Sequence, residues 1–110
     1  MKNFWIVPGS EKNWKQSLIS KGIWGIEDTI YKKVYWLAIQ LNDIILFYIT
    51  GKVKGIVGYG TVRNKFYQDV PLWDSEIKRN CIKWSLRFEF DIDFILPKNM
   101  WENENISISE

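Results

Sequence analysis

Phe4, Trp5, Ile6 and Val7 form an apolar run stopped by Pro8 and Gly9, which predicts a short strand. Strand alternation turns Trp5 and Val7 to one face and Phe4 and Ile6 to the other. Ser10 then stands where a helix N-cap is needed, Trp14 and Leu18 follow four apart, and Gly22 supplies a stop. Residues 11–20 are therefore predicted to be helical. From Thr29 onward, Ile30, Val34, Leu37, Ala38 and Leu41 fall at i, i+4, i+7, i+8 and i+11, the spacing of one helix face. Tyr31, Tyr35 and Trp36 in the same stretch also suit a strand, but the periodicity favours a second helix.

Farther on, "IILFYITG" carries an apolar run, "KVKG" turns the chain and "IVGYGTV" follows, the pattern of a hairpin of two buried strands. Gly58 and Gly60 strip side chains from one face of the second strand, leaving room for a packed element or a ligand. Residues 66–80, with Pro71 and mixed charge, read as a long loop holding a single helical turn. Residues 83–94 give the most regular pattern of all. Trp84, Leu86, Phe88, Phe90, Ile92 and Phe94 alternate with Lys83, Ser85, Arg87, Glu89, Asp91 and Asp93, which predicts a long strand with one buried and one wet face. Strand, helix, helix and then several hairpin-linked strands define an α+β domain. Mostly antiparallel strands close barrel-like over a small core, with helices outside.

Composition narrows the chemistry. At 110 residues, 46% apolar and 25% charged, the chain is sized and balanced for one globular domain. A formal charge of +2 permits nucleic acid as a partner without demanding it. The chain has no His and a single Cys, Cys81, which removes the commonest general base, the commonest neutral metal ligand and any internal disulfide. Glu89, Asp91 and Asp93 share the predicted wet face, where solvated carboxylates are expected. "GYG" and "GKVKG" lack the helix start and Lys-Ser/Thr of a phosphate loop. No nucleophile and base are paired. These features argue against an enzyme and give no reason to expect a cofactor or metal. The N-terminal apolar run is too short for a signal peptide, no stretch approaches a membrane span, and a cytoplasmic, membrane-free protein is expected.

Aromatic content is the unusual quantity, at 16% with seven Trp. A core of this size accommodates roughly three or four indoles, each large and each needing a partner for its N–H. Trp84 and Trp14 are assigned to the core by their strand and helix positions. Trp24, set between Gly22 and Gly25 in "KGIWGIED", and Trp73 lie in irregular segments beside turn residues, where side chains reach grooves. A flat ligand with a π-face suits such residues, and an unstacked nucleobase qualifies. Lys21, Lys52, Lys54, Arg63, Lys65, Arg79, Lys83 and Arg87 could track phosphates, though each taken singly is better read as a solvated surface charge.

The pieces "NFWIVPGSEKNW", "KGIWGI", "LNDIILFYITGKVKGIVGYGTV" and "PLWDSEI", in that order, resemble the EVE and YTH branch of the PUA-like superfamily. The likeness is to the EVE-like N-terminal modules of McrB-type modification-dependent restriction proteins. It implies a small PUA-like β-barrel flanked by helices that holds a modified base, flipped from DNA, in an aromatic cage. On that pattern the helix start is Ser10 to Asn13, with Asn13 reading the base edge. Trp24 is a cage wall, Gly25 admits the base's polar edge, Trp73 closes the cage, and Trp5 is core or pocket floor. Asn42-Asp43 replaces the family's Gly-Asp turn. Lys21, Lys54, Arg63 and Lys65 complete the candidate nucleic-acid-binding set. The expected domain is 1–96, with 97–110 a polar tail or a linker toward a following domain, such as an AAA+ NTPase in a longer chain. RNA binding on the same fold, and a protein-interaction module with exposed Trp hot spots, are the competing readings.

Overall fold

The computed structural model describes residues 2–19 and 22–107. The chain runs through β1 (Phe4–Gly9), α1 (Glu11–Ile19), β2 (Ile23–Ile26), α2 (Ile30–Ala38), β3 (Ile44–Ile49), β4 (Gly55–Tyr67), α3 (Asp74–Arg79) and β5 (Leu86–Ile95). A 3-10 turn (Lys98–Met100) and α4 (Trp101–Glu104) follow. Helix α1 begins as its sequence requires, with Ser10 Oγ accepting the Asn13 N–H at 3.1 Å. Past its end Gly22 sits at φ +73°, left-handed backbone that glycine adopts without a Cβ penalty. Thr29 caps α2 by accepting the Lys32 N–H at 3.2 Å.

The five strands form one sheet in the order β1-β3-β4-β5-β2. β1 and β3 are parallel, which the long crossover through α1, β2 and α2 makes possible; the other pairings are antiparallel. Register shifts interrupt β3 against β4 once and β4 against β5 twice. Such bulges increase the local twist and bend long strands. The sheet accordingly curls into a half-barrel that stays open between its two edge strands, β1 and β2. Trp14, Phe47, Ile45, Val62, Phe88 and Phe90 fill the inside.

Several local expectations are overruled by the tertiary arrangement. Strand β4 continues to Tyr67, into residues expected to begin a loop. The space beside Gly58 and Gly60 is taken by the β5 backbone at Phe94, Ile95 and Asp91, a packed neighbour. On β5, Arg87 is fully buried although alternation places it on the wet face, because the segment 68–85 folds over that face. At the other end the register shift beside Tyr59 puts Phe94 outside, 49% exposed and stacked on Tyr59 at 6.0 Å. Of the segment 97–110, expected as a polar tail or linker, the described residues are folded onto the domain as far as Ile106. Trp101 is buried, with its indole donating to Leu96 O at 2.8 Å. Asn105 donates to Val53 O at 3.1 Å, and Ile106 bridges to Ile56. Helix α2 buries none of its residues, so its apolar stripe faces outward. Among the described residues no helix is long and apolar enough to cross a membrane.

Candidate nucleic-acid interface

A cleft opens where the half-barrel stays unclosed. Its smaller lobe, about 210 Å³, is lined by Pro8, Gly9, Ser10, Asn13, Trp24, Gly25, Trp73 and Trp84. Its larger lobe, about 390 Å³, shares Pro8, Trp24, Gly25 and Trp84 and adds Trp5, Val7, Ile26, Tyr35 and Ile39, with Glu27 and Lys32 as its charged groups. The smaller lobe has room for several waters or one planar heterocycle.

The aromatic wall is built from three segments. Trp24 of β2 stacks on Trp14 of α1, with centroids 4.0 Å apart and planes 12° from parallel. One face of Trp24 is thus committed to the core, and the indole is buried instead of standing free at a turn. Trp73, also expected to reach a groove, is fully buried in the core; it meets Trp24 edge-on at 5.9 Å and 76°, and Trp84 meets Trp73 at 5.4 Å and 77°. Both are favourable T-shaped geometries. A Cβ on Gly25 would stand 2.7 Å from the Cβ and carbonyl oxygen of Trp84 and 2.8 Å from the Trp73 indole. The close approach this glycine allows is therefore that of the Trp84 backbone and the Trp73 ring.

A buried ion pair holds the far wall. Glu76 and Arg87 have fully buried side chains 3.1 Å apart. The Glu76 carboxylate also accepts the backbone N–H groups of Leu72, Trp73, Lys83 and Trp84. Arg87 donates to Trp84 O, Val70 O and Gln68, and its guanidinium lies 5.2 Å over the Trp73 ring. Burial pulls Arg87 below its ordinary value, while the charges of Glu76 and Asp69 oppose that shift. Loop 68–85, which carries Trp73 and Trp84, is fixed from beneath by these two side chains. The near wall is held by Asp43. Burial would raise its pKa, yet the hydrogen bonds from Gln40 N, the Trp5 indole and Asn3 N outweigh burial and keep it below the usual carboxylate range. Asn42 before it adopts φ +76°, conformation that Gly or Asn tolerates, so the replacement of the family's glycine is compatible with the turn.

Five of the sequence-derived site residues, Ser10, Asn13, Trp24, Gly25 and Trp73, line the smaller lobe together, and Trp5 lines the larger one. Among the described residues the Asn13 side-chain amide has no hydrogen-bond partner. The cations fare differently. Lys54 lies in the β3–β4 turn. Arg63 is engaged by Asp91 at 2.6 Å and by Asn42. Lys65 is folded back onto Ile39 O at 2.7 Å and over Trp36 at 4.5 Å, and its burial lowers its pKa. None of these three lines the cleft, buried Arg87 cannot reach a phosphate, and Lys21 lies outside the described residues. Trp84, assigned to the core by alternation, instead lines both lobes half-buried, with Lys83 Nζ 5.2 Å from its ring. Its place just ahead of β5, in the segment carrying Lys83, was the available signal. Asp43 was visible only as part of a turn.

A curled α+β half-barrel with an aromatic cleft between its edge strands defines the PUA-like class of small binding domain. Residues 3–105 match the family model described as the EVE domain, and the chain belongs to that family. The NMR structure of Rpa0253 from Rhodopseudomonas palustris is similar with a TM-score of 0.56 at 16% identity, over 86% of this chain. The likeness at that identity is one of fold. The chain spans 63% of the length of that protein. No curated protein matches the sequence.

Proposed function

We propose that the cleft binds a single modified base flipped out of DNA, and that the domain serves as the targeting module of a McrB-type restriction system. Membership in the EVE family points to nucleic-acid or modified-base binding in general terms. The observation that carries the finer reading is the convergence of Ser10, Asn13, Trp24 and Trp73 on one lobe the size of a heterocycle. In this reading the domain discriminates and does not catalyse. The Asn13 amide, carrying both donors and an acceptor, reads the polar edge of the base, while half-buried Trp84 and the free edge of Trp24, backed by the buried Trp73, enclose it. The order of sequence pieces shared with McrB-type modules supports an AAA+ NTPase in the same longer chain as the partner, acting on what the cleft captures.

Magnitudes set what the cleft has to achieve. Flipping a base costs a few kcal/mol, and aromatic stacking returns ~1–3 kcal/mol. Hydrogen bonds from Asn13 add ~0.5–1.5 kcal/mol each, so an unmodified base is held near break-even. One extra buried methyl adds ~0.8 kcal/mol, roughly a fourfold preference. A larger preference requires the walls to exclude the unmodified or wrongly modified base by shape.

Tryptophan-fluorescence titration with duplexes carrying N6-methyladenine, 5-methylcytosine or 5-hydroxymethylcytosine, against unmodified duplex, tests this. One modified duplex is expected to saturate the signal, with binding weakened by Asn13→Ala and Trp84→Ala, both at half-buried positions where the fold should survive. Equal, weak and salt-dependent responses to every duplex, unaffected by both variants, would sink the proposal. Preference for matched single-stranded RNA would transfer the cleft to RNA.

A further inference from the structure

Helix α2 is oriented with its apolar side to solvent. At about 100° per residue, Ile30, Val34, Leu37, Ala38, Tyr31 and Tyr35 occupy one continuous arc of roughly 160°. Trp36, the one half-buried residue of the helix, lies about 180° from the centre of that arc. It anchors the helix through its indole, which donates to Arg87 O at 3.0 Å. Lys32 and Lys33 fall outside the arc, and Lys32 is paired with Glu27 at 2.5 Å. A surface helix of this pattern ordinarily turns its arc toward the core; here the Trp36 side faces the core and the arc faces out.

The uncovered area is large. Ile30 and Tyr31 are 84% exposed, Val34 and Tyr35 61%, Leu37 58% and, just past the helix, Leu41 54%. With residue areas of roughly 150–230 Å², these six leave on the order of 750 Å² open to water. That exceeds the ~300–600 Å² of the largest apolar patch on a typical monomer. It is close to the ~800 Å² that each partner contributes to a standard-size interface.

We infer that this face is the contact of a homodimer, in which α2 of one protomer packs against α2 of its partner across a two-fold axis. The same patch serves both sides of such an isologous contact, and the arc contains no charged residue, so self-pairing brings no like charges together. Val34 is the midpoint of α2 and sits nearest the axis, with Ile30 of one protomer beside the last turn of its partner's helix. Tyr35 belongs both to the arc and to the larger cleft lobe, so the contact also shapes the mouth of the cleft. A nucleic-acid occupant is disfavoured because the arc offers no cation to a phosphate backbone.

Sedimentation equilibrium of the full chain over roughly 1–200 µM, the affinity range open to interfaces of this size and weaker, tests the contact without reference to any ligand. The expected mass at the upper end is twice the 13.2 kDa of one chain. Val34→Glu and Leu37→Glu should each raise the dissociation constant about tenfold or more with an unchanged circular dichroism spectrum. A monomer mass over the whole range overturns the inference. A dimer that persists in both variants does so too, because the contact would then lie on another face.

Discussion

Replacing Glu76 by Gln tests whether the cleft wall depends on the buried pair. The native carboxylate faces donors only. On one oxygen are Leu72 N at 2.9 Å and the Arg87 guanidinium at 3.1 Å, and on the other Lys83 N and Trp84 N at 2.8 Å each. An amide turned either way presents its NH₂ to at least two of these buried donors and leaves Arg87 without a counter-charge. Each unsatisfied buried group costs ~1–3 kcal/mol, and breaking a buried pair by removing one partner costs ~3–5 kcal/mol in total. A domain stability of ~5–15 kcal/mol makes that a large fraction, equivalent to a fall in Tm of roughly 12–25 °C for a chain of this size. Urea denaturation followed by tryptophan fluorescence measures it, since Trp73 and Trp84 lie on the supported loop. The apolar double variant Glu76→Leu with Arg87→Met sharpens the test. A simple ion pair is often replaceable by well-packed hydrophobes. This one satisfies four backbone N–H groups and two backbone carbonyls, so the double variant should stay at least as unstable as Glu76→Gln. A loss under ~1 kcal/mol in Glu76→Gln, or wild-type stability in the double variant, refutes the reasoning.

Further outcomes follow from other parts of the structure. Gly25→Ala should lose ~1–3 kcal/mol by overpacking against the Trp84 backbone and the Trp73 ring and weaken ligand binding more than its thermal shift suggests; unchanged Tm and affinity would show that both neighbours yield freely. Asp43 has a folded pKa below its unfolded value, so its contribution is present above the ordinary Asp range near pH ~4 and is lost as pH falls through the depressed folded value. The Tm gap between wild type and Asp43→Asn should therefore hold at neutral pH and narrow below about pH 4; a gap constant down to strongly acid pH contradicts this. Trp101→Ala should cost ~3–5 kcal/mol, because the indole is buried and bonded to Leu96 O. Calorimetry showing little change would return residues 97–107 to the status of a tail.

What the sequence determined by itself is what local chemistry encodes. Ser10 and Gly22 set the ends of the first helix because capping and left-handed backbone are properties of a few adjacent residues. The facing of Trp5 and Val7 followed from the two-residue strand period, and the 3.6-residue period of Ile30, Val34 and Leu37 marked α2 as a helix. The resemblance carried by Ser10, Asn13, Trp24 and Trp73 gathered distant residues that the fold places around one lobe. The tertiary structure alone decided what covers each face. Alternation told Arg87 from Phe88 but could not show that loop 68–85 would close over Arg87, because that depends on Glu76 eleven positions away. It could not show that Trp84 would line a cleft, since the gap between β1 and β2 exists only once bulges curl the sheet. Periodicity gave α2 an apolar arc but not its direction. That direction is visible only in the tertiary contacts of the opposite side, where Trp36 packs against the core, lies under Lys65 and donates its indole N–H to the carbonyl of Arg87, leaving the arc outside.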